Sequence, residues 1–248
     1  MKAYVCVYRK LRPQEKDRRA TELEAANDHL LGKFLETYQE GFFDWGDDPS
    51  FFAAKHQLND IRQATWGVCR RDVRSSLDVG DVIIFFCARE NTDKTWDYYF
   101  IGLGTVGEIV SDRSNLWNKP QYAKFRKFYN LLIDCNGNQH ERFHPYHYRD
   151  WVERSEAPYV FFDPARSIFN SDTPHRVATW DRSTNKELWH SDTKSQMIEK
   201  LIFKDRGIER RLRSSRIGFA HPKLNLTKSK DIRGCTLFQL TEELKKLI

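Results

Sequence analysis

Three stretches decide the fold: Trp66-Gly67-Val68; Gly80-Asp81 running into Val82-Ile83-Ile84-Phe85-Phe86-Cys87; and Tyr98-Tyr99-Phe100-Ile101-Gly102-Leu103-Gly104-Thr105-Val106-Gly107-Glu108-Ile109-Val110. Val82 to Cys87 is the strongest strand signal in the chain, β-branched and aromatic, and Val79-Gly80-Asp81 is the turn that launches it. Tyr98 to Val110 reads as a second strand. Its glycines, Gly102, Gly104 and Gly107, mark bulges or places where another backbone comes close. Two adjacent strands curved by glycine suit a small barrel better than a flat parallel sheet.

Outward from that centre, Tyr4 to Tyr8 is a short first strand. Ala20 to Tyr38 carries Leu23, Ala26, Leu30, Phe34 and Tyr38 at helical spacing. Ser50 stands as N-cap of a short helix through Phe51, Phe52 and Ala54, and Arg70 to Leu77 reads as one helical stretch. Tyr129 to Asp134, Tyr159 to Phe162 and Val177 to Trp180 read as further strands. Helices follow at Ser195 to Phe203, Ile208 to Arg213 and Leu237 to Leu247. The expected class is α+β: a curved β-barrel of about five to six strands with flanking helices. Residues 1–190 would form the barrel domain with a helical insertion near 18–63. Residues 191–248 would be a helical C-terminal extension packed on it.

Composition narrows the function. Of 248 residues, 40% are hydrophobic, enough for a proper core. The longest apolar run falls far short of the roughly 20 residues of a membrane helix, and the N-terminus lacks a secretory signal pattern. Cys6, Cys69, Cys87, Cys135 and Cys235 are scattered and never in a Cys-x-x-Cys pair, which argues against disulfides and a cysteine zinc site. The expectation is a reduced cytoplasmic protein with no membrane association, no metal and no cofactor.

The net charge is +6, from 41 Lys and Arg against 35 Asp and Glu, which suits an anionic partner. The cations cluster: Arg70, Arg71 and Arg74; Lys119, Lys124, Arg126 and Lys127; Arg206, Arg210, Arg211, Arg213 and Arg216. Each cluster reads either as phosphate contact or as a solvated helix face. Aromatic residues make up 14%, and several lie in polar stretches, such as Trp96-Asp97-Tyr98-Tyr99 and Asn115-Leu116-Trp117-Asn118. Aromatics beside cations and amides stack single or extruded bases; the same residues can instead clamp loops onto a core.

Trp66-Gly67-Val68, Gly80-Asp81, Phe85-Phe86, Ile101-Gly102-Leu103-Gly104 and the trailing Asp112 together resemble the PUA-like superfamily, within it the EVE, ASCH and YTH group. The match covers roughly a fifth of the chain, and residues 9–63 exceed what an EVE domain requires. The resemblance implies a curved barrel with a pocket for a modified base, in a defence or nucleotide-modification system. It places Trp66 as a stacking wall, with backbone groups of Gly67, Val68 and Cys69 reading a base edge. Phe86 and Cys87 would form the pocket floor. Asp112 and Asn115 would be hydrogen-bond partners, with Trp96 or Trp117 a second wall. Arg70, Arg71 and Arg74, with Lys119 and Lys124, would grip phosphates. The expected partner is nucleic acid, DNA in preference to RNA, or a modified nucleotide.

An enzyme is the competing class. A metal-dependent nuclease or base-modifying enzyme would draw on the carboxylates and histidines of residues 140–200: His140, His144, His147, Asp150, Asp172, Asp181, Glu187 and Glu199 with Lys200. No local spacing compels that arrangement. A Gly-x-Ser-x-Gly elbow is absent. Gly102-x-Gly104-x-x-Gly107 has the letters of a dinucleotide fingerprint, but it lies within a strand and no helix follows.

Overall fold

A computed structural model describes residues 3–9, 13–25, 48–93, 95–140, 149–170 and 172–202, with a few single positions between 29 and 36 and at 147. In chain order the strands are β1 (Ala3–Arg9), β2 (Thr65–Trp66), β3 (Val82–Glu90), β4 (Thr95–Val110), β5 (Tyr159–Phe162), β6 (Ile168–Phe169), β7 (His175–Asp181) and β8 (Lys186–Trp189). The α-helices are α1 (Pro13–Glu24), α2 (Phe51–Leu58), α3 (Arg71–Arg74), α4 (Asn115–Asn118), α5 (Trp151–Ser155) and α6 (Thr193–Ile202). The chain forms two compact units, each assembled from separate stretches. The first takes residues 1–9, 76–108 and 162 onward; the second takes 10–75 and 109–161.

The first unit is an open sheet. β3 lies parallel to β1 on one side, Tyr4 opposite Ile83 and Tyr8 opposite Cys87. On its other side β3 pairs antiparallel with β4, with a bulge at Phe85/Phe86. The far edge of β4 takes β7 and β6, and β7 takes β8. No described strand joins β1 to β8, so the sheet is α+β in class as expected but does not close.

Alternation explains the core. Val82, Ile84, Phe86 and Ala88 of β3, with Trp96, Tyr98 and Phe100 of β4, point to one face and pack with Val177, Ala178, Trp180 and Ile198. On the other face Phe85 meets Tyr8, Phe162 and Phe169 at ring separations of 5.9, 5.7 and 6.0 Å. Both faces being covered, β3 reads as a continuous apolar run rather than an alternating one. Gly102 is required where β6 crosses: its φ is +151°, and an added Cβ would collide with the Ile168 carbonyl and lie 2.8 Å from Phe169 Cα.

The second unit contains the β2–β5 pair, Thr65 opposite Phe161 and Trp66 opposite Val160. Its aromatic core joins Tyr122, Phe125, Phe128, Tyr159 and Phe161, with Phe125–Phe161 centroids 4.9 Å apart.

Three local expectations change. Tyr129 to Asp134 is not a strand: Tyr129–Leu131 is a 3₁₀ turn, and Leu132 at φ 73° redirects the chain into an isolated bridge, Ile133 to Gln139. Ser50 stands at the N-cap of α2 as expected, its carbonyl accepting Ala54 N–H (2.9 Å), but its hydroxyl makes no capping bond; it accepts Thr65 N–H (2.9 Å) and meets Thr65 Oγ1 (3.0 Å). The helix expected from Arg70 to Leu77 shrinks to the single turn α3, because Arg70 sits in the left-handed region at φ 54°. The first helix of the expected C-terminal extension is α6, packed through Ile198 on the first unit's core. The helices expected at 208–213 and 237–247 lie outside the described residues. Among the described residues no helix is long and apolar enough to cross a membrane.

Candidate nucleic-acid interface

The second unit holds most of the expected site, organised around a buried carboxylate, Asp48. Asp48 has no solvent exposure. It accepts three consecutive backbone N–H groups, Gly67 (3.1 Å), Val68 (2.8 Å) and Cys69 (2.6 Å), and the Asn130 amide (3.0 Å). Burial pushes its carboxyl above the usual range, opposed by the Arg74 charge, Asn130 and the N–H groups of Gly67 and Cys69. Four donors and no acceptor face its two oxygens, an arrangement made for the ionised form.

The carbonyls of the same loop meet two buried arginines. Arg74, with no exposure, donates to the carbonyls of Val68 (3.1 Å), Cys69 (3.0 Å), Arg154 (3.2 Å), Ala157 (3.2 Å) and Pro158. Arg113, 2% exposed, donates to those of Gly67, Asn130 (3.3 Å), Leu131 (2.9 Å), Arg154 (3.0 Å) and Ala157 (3.1 Å). Burial pulls its guanidinium down to about 9, with Arg74 adding to the effect and Tyr159 and Asp48 opposing it. Asn130 completes the frame by donating to the Thr65 carbonyl (2.9 Å) and accepting Tyr159 O–H (2.8 Å). Gly67 is obligatory here, since a Cβ would strike the Asn130 carbonyl and lie 2.6 Å from the Tyr159 ring.

This frame reassigns several expected site residues. Trp66, Gly67 and Val68 are buried, and Trp66 is a strand residue opposite Val160 rather than an accessible wall. The N–H groups of Gly67, Val68 and Cys69 are turned inward onto Asp48, not outward to a base edge. Arg74 leaves the phosphate-gripping set, because its guanidinium is enclosed by carbonyls. Arg70 pairs with Asp72 at 2.6 Å and Arg71 with Glu153 at 2.8 Å, so both already face carboxylates. Phe86, Cys87 and Trp96 are buried in the first unit, Phe86 and Trp96 within its core cluster.

Of the expected site, the residues still exposed in the second unit are concentrated in the run 111–134. Between Asp112 and Asp134 lie Arg113, Lys119, Lys124, Arg126 and Lys127, with no carboxylate among them. Asp112 is exposed and accepts Ser114 N–H (2.9 Å) and Oγ–H (2.8 Å), and the hydroxyl, then the N–H, hold it below the usual carboxylate range. Asn115 opens α4, half-buried. The 3₁₀ turns of Pro120–Phe125 bury Tyr122 and Phe125 and leave Lys124 outside. Lys119, Lys124 and Lys127 are exposed and meet no carboxylate among the described residues; Lys124 donates to the Gln63 amide oxygen. Trp117 is half-buried beside them. Its N–H donates to the Ile133 carbonyl (3.0 Å), its ring stacks on His140 at 5.5 Å, and the Arg126 guanidinium lies 5.8 Å from its centroid.

The groups weighed for catalysis are otherwise engaged. Asp181 accepts Ser183 and Thr184 in a turn. Asp150 binds His147 and Arg154. Asp192 takes His175 at 2.8 Å and Ser195 Oγ at 2.5 Å; both meet the same His175 nitrogen, so no nucleophile–base–orienter relay forms. His140 Nε2–H donates to the Arg126 carbonyl, 2.9 Å. His144 and the side chains of Glu187, Glu199 and Lys200 lie outside the described residues. Among those described, no group of three or more His, Cys, Asp or Glu is placed to hold a metal ion. Comparison of the chain with protein-family models, curated proteins and solved structures returns no match.

Proposed function

We propose that the protein binds nucleic acid, DNA in preference to RNA, as a non-catalytic reader of a modified or flipped base in an intracellular defence or nucleotide-modification setting. One observation carries the reading: Lys119, Lys124 and Lys127 stand exposed on an acid-free basic run and face no carboxylate among the described residues, while Arg70 and Arg71 are paired with carboxylates and Arg74 is enclosed; the arginine cluster of residues 206–216 lies outside the described residues. Uncompensated surface lysines on a rigid support are what a phosphate backbone requires. The Asp48–Arg74–Arg113 network supplies rigidity behind them, because a fully satisfied buried polar network fixes one backbone geometry.

In this reading Trp117 takes over the stacking role from Trp66. It is the tryptophan of the expected set that keeps partial exposure in the second unit, and its neighbours Arg126 and His140 hold its ring orientation. Asn115, the first residue of α4, and Asp112, three positions before it, supply polar groups on that side. PUA-like kinship belongs to the same proposal, supported by the bulged β3–β4 pair and the glycines that admit β6.

The test is binding of the purified protein to matched oligonucleotides, unmodified, methylated and hydroxymethylated, as DNA and as RNA, with Mg2+ present and the products run on a gel. The expected result is selective binding to one modified DNA with the oligonucleotide intact. Modification-blind binding removes the reader claim, and cleavage or conversion replaces it with the enzyme.

A further inference from the structure

The Gly67–Cys69 loop has the construction of an anion receptor. Three consecutive N–H groups converge on one point with the Asn130 amide as a fourth donor, and two guanidiniums are buried around the loop against a single carboxylate. Consecutive backbone N–H groups that face inward form a concavity selective for anions. Its occupant is the chain's own Asp48, whose Oδ1 meets Gly67 and Asn130 and whose Oδ2 meets Val68 and Cys69. Neither arginine donates to it. Their guanidiniums donate instead to the backbone carbonyls of Gly67, Val68, Cys69, Asn130, Leu131, Arg154, Ala157 and Pro158, so the loop's shape and its receptor donors are set separately.

We infer that this loop is a carboxylate-binding site filled in cis by Asp48, and that it takes up a free small carboxylate once that side chain is removed. The two oxygens are divided two donors to each, a pattern a planar carboxylate meets and a spherical chloride does not. The receptor carries surplus positive charge whenever it is empty, with two guanidiniums and no anion. Acetate is the fitting probe for Asp48→Gly, since its methyl replaces the lost Cβ and its carboxylate the lost Cγ group. Asp48→Ala keeps a Cβ in the place the methyl needs, so the same anion is excluded sterically.

The experiment is thermal unfolding of Asp48→Gly and Asp48→Ala over a range of acetate, against sodium chloride and phosphate at equal ionic strength. The expected result is a saturable rise in the Tm of Asp48→Gly, about 4 °C at tenfold excess over Kd. Asp48→Ala and the chloride and phosphate series should show no saturable rise. Equal recovery by chloride, or equal recovery of the two variants, overturns the inference. Should Asp48→Gly not fold in buffer, the titration is read as the fraction regaining near-UV circular dichroism. Acetate-dependent refolding then supports the site, and its absence up to saturating acetate overturns it.

Discussion

Asn130→Asp is the substitution that probes the buried frame most sharply, because it exchanges one heavy atom at nearly constant volume. Asn130 is 1% exposed. Its amide nitrogen lies 3.0 Å from Asp48 Oδ1, 2.9 Å from the Thr65 carbonyl and 3.2 Å from Thr65 Oγ1. Replacing that nitrogen by a carboxylate oxygen removes a charge-assisted bond and two neutral ones. It also sets two anions at hydrogen-bond distance in a buried site. An uncompensated buried charge costs about 3–5 kcal/mol, the expected loss at pH 7. Repulsion from Asp48 raises the folded-state pKa of the new carboxyl above its unfolded value. Its contribution is therefore favourable below the unfolded pKa and lost as pH rises through the folded one. Once protonated, the new group also has an O–H to donate to Asp48. Urea unfolding of the variant against the parent should give a difference that falls to about 1 kcal/mol by pH 4.5. An equal loss at both pH values, or a loss below about 1 kcal/mol at pH 7, would refute the assignment of Asp48 as an ionised acceptor held by Asn130.

Other outcomes follow from the same structure. Gly102→Ala should cost about 2–4 kcal/mol in chemical unfolding, since the new Cβ enters the Ile168 carbonyl at a φ of +151°; a loss within experimental error would mean β6 yields. Trp66→Ala should cost about 3–5 kcal/mol of stability, whereas Trp117→Ala should weaken base-selective binding at near-parental Tm; the reverse pattern would restore Trp66 as the stacking wall. Asp150 and Asp192 are pushed up by burial but brought below the usual carboxylate range, Asp150 by His147 and Arg154, Asp192 by Ser195 and His175. Depressed folded values give stability that is present above the unfolded pKa and lost as pH falls. The parent should therefore lose more stability between pH 5 and pH 2.5 than Asp150→Asn/Asp192→Asn, the gap between the two curves beginning to close near the unfolded carboxylate pKa and narrowing further as pH falls toward the folded values.

The strand framework was legible because its signals are local. Val82 to Phe86 is too apolar and β-branched to be anything but a buried strand, and the glycines at 102 and 104 announce an approaching backbone, which proved to be Ile168–Phe169 with the Phe162 ring. Tyr129 to Asp134 carried the same apolar look and misled, since nothing in Leu132 announces a left-handed turn. The polar frame was illegible for a different reason. Asp48 meets partners 19 to 21 residues away in the loop and 82 away at Asn130, and no periodicity links such positions. Charge clustering marked Arg70, Arg71 and Arg74 correctly as a group. It could not tell which would find Asp72, Glu153 or a ring of carbonyls. Lys119 and Lys124 survived as surface cations because the surrounding run holds no acid, a feature visible in the sequence itself.

The central claim is phosphate contact through the lysines of residues 119–127, and the salt dependence of binding tests it most directly. Kd for the preferred DNA would be measured between about 50 and 300 mM salt (a range worth about 0.7 decade in affinity per phosphate contact) for the parent and for Lys119→Gln/Lys124→Gln/Lys127→Gln. Three lost phosphate contacts should flatten the slope of log K against log salt by about 2.7 while leaving Tm near the parental value. An unchanged slope in a folded triple variant would contradict the account.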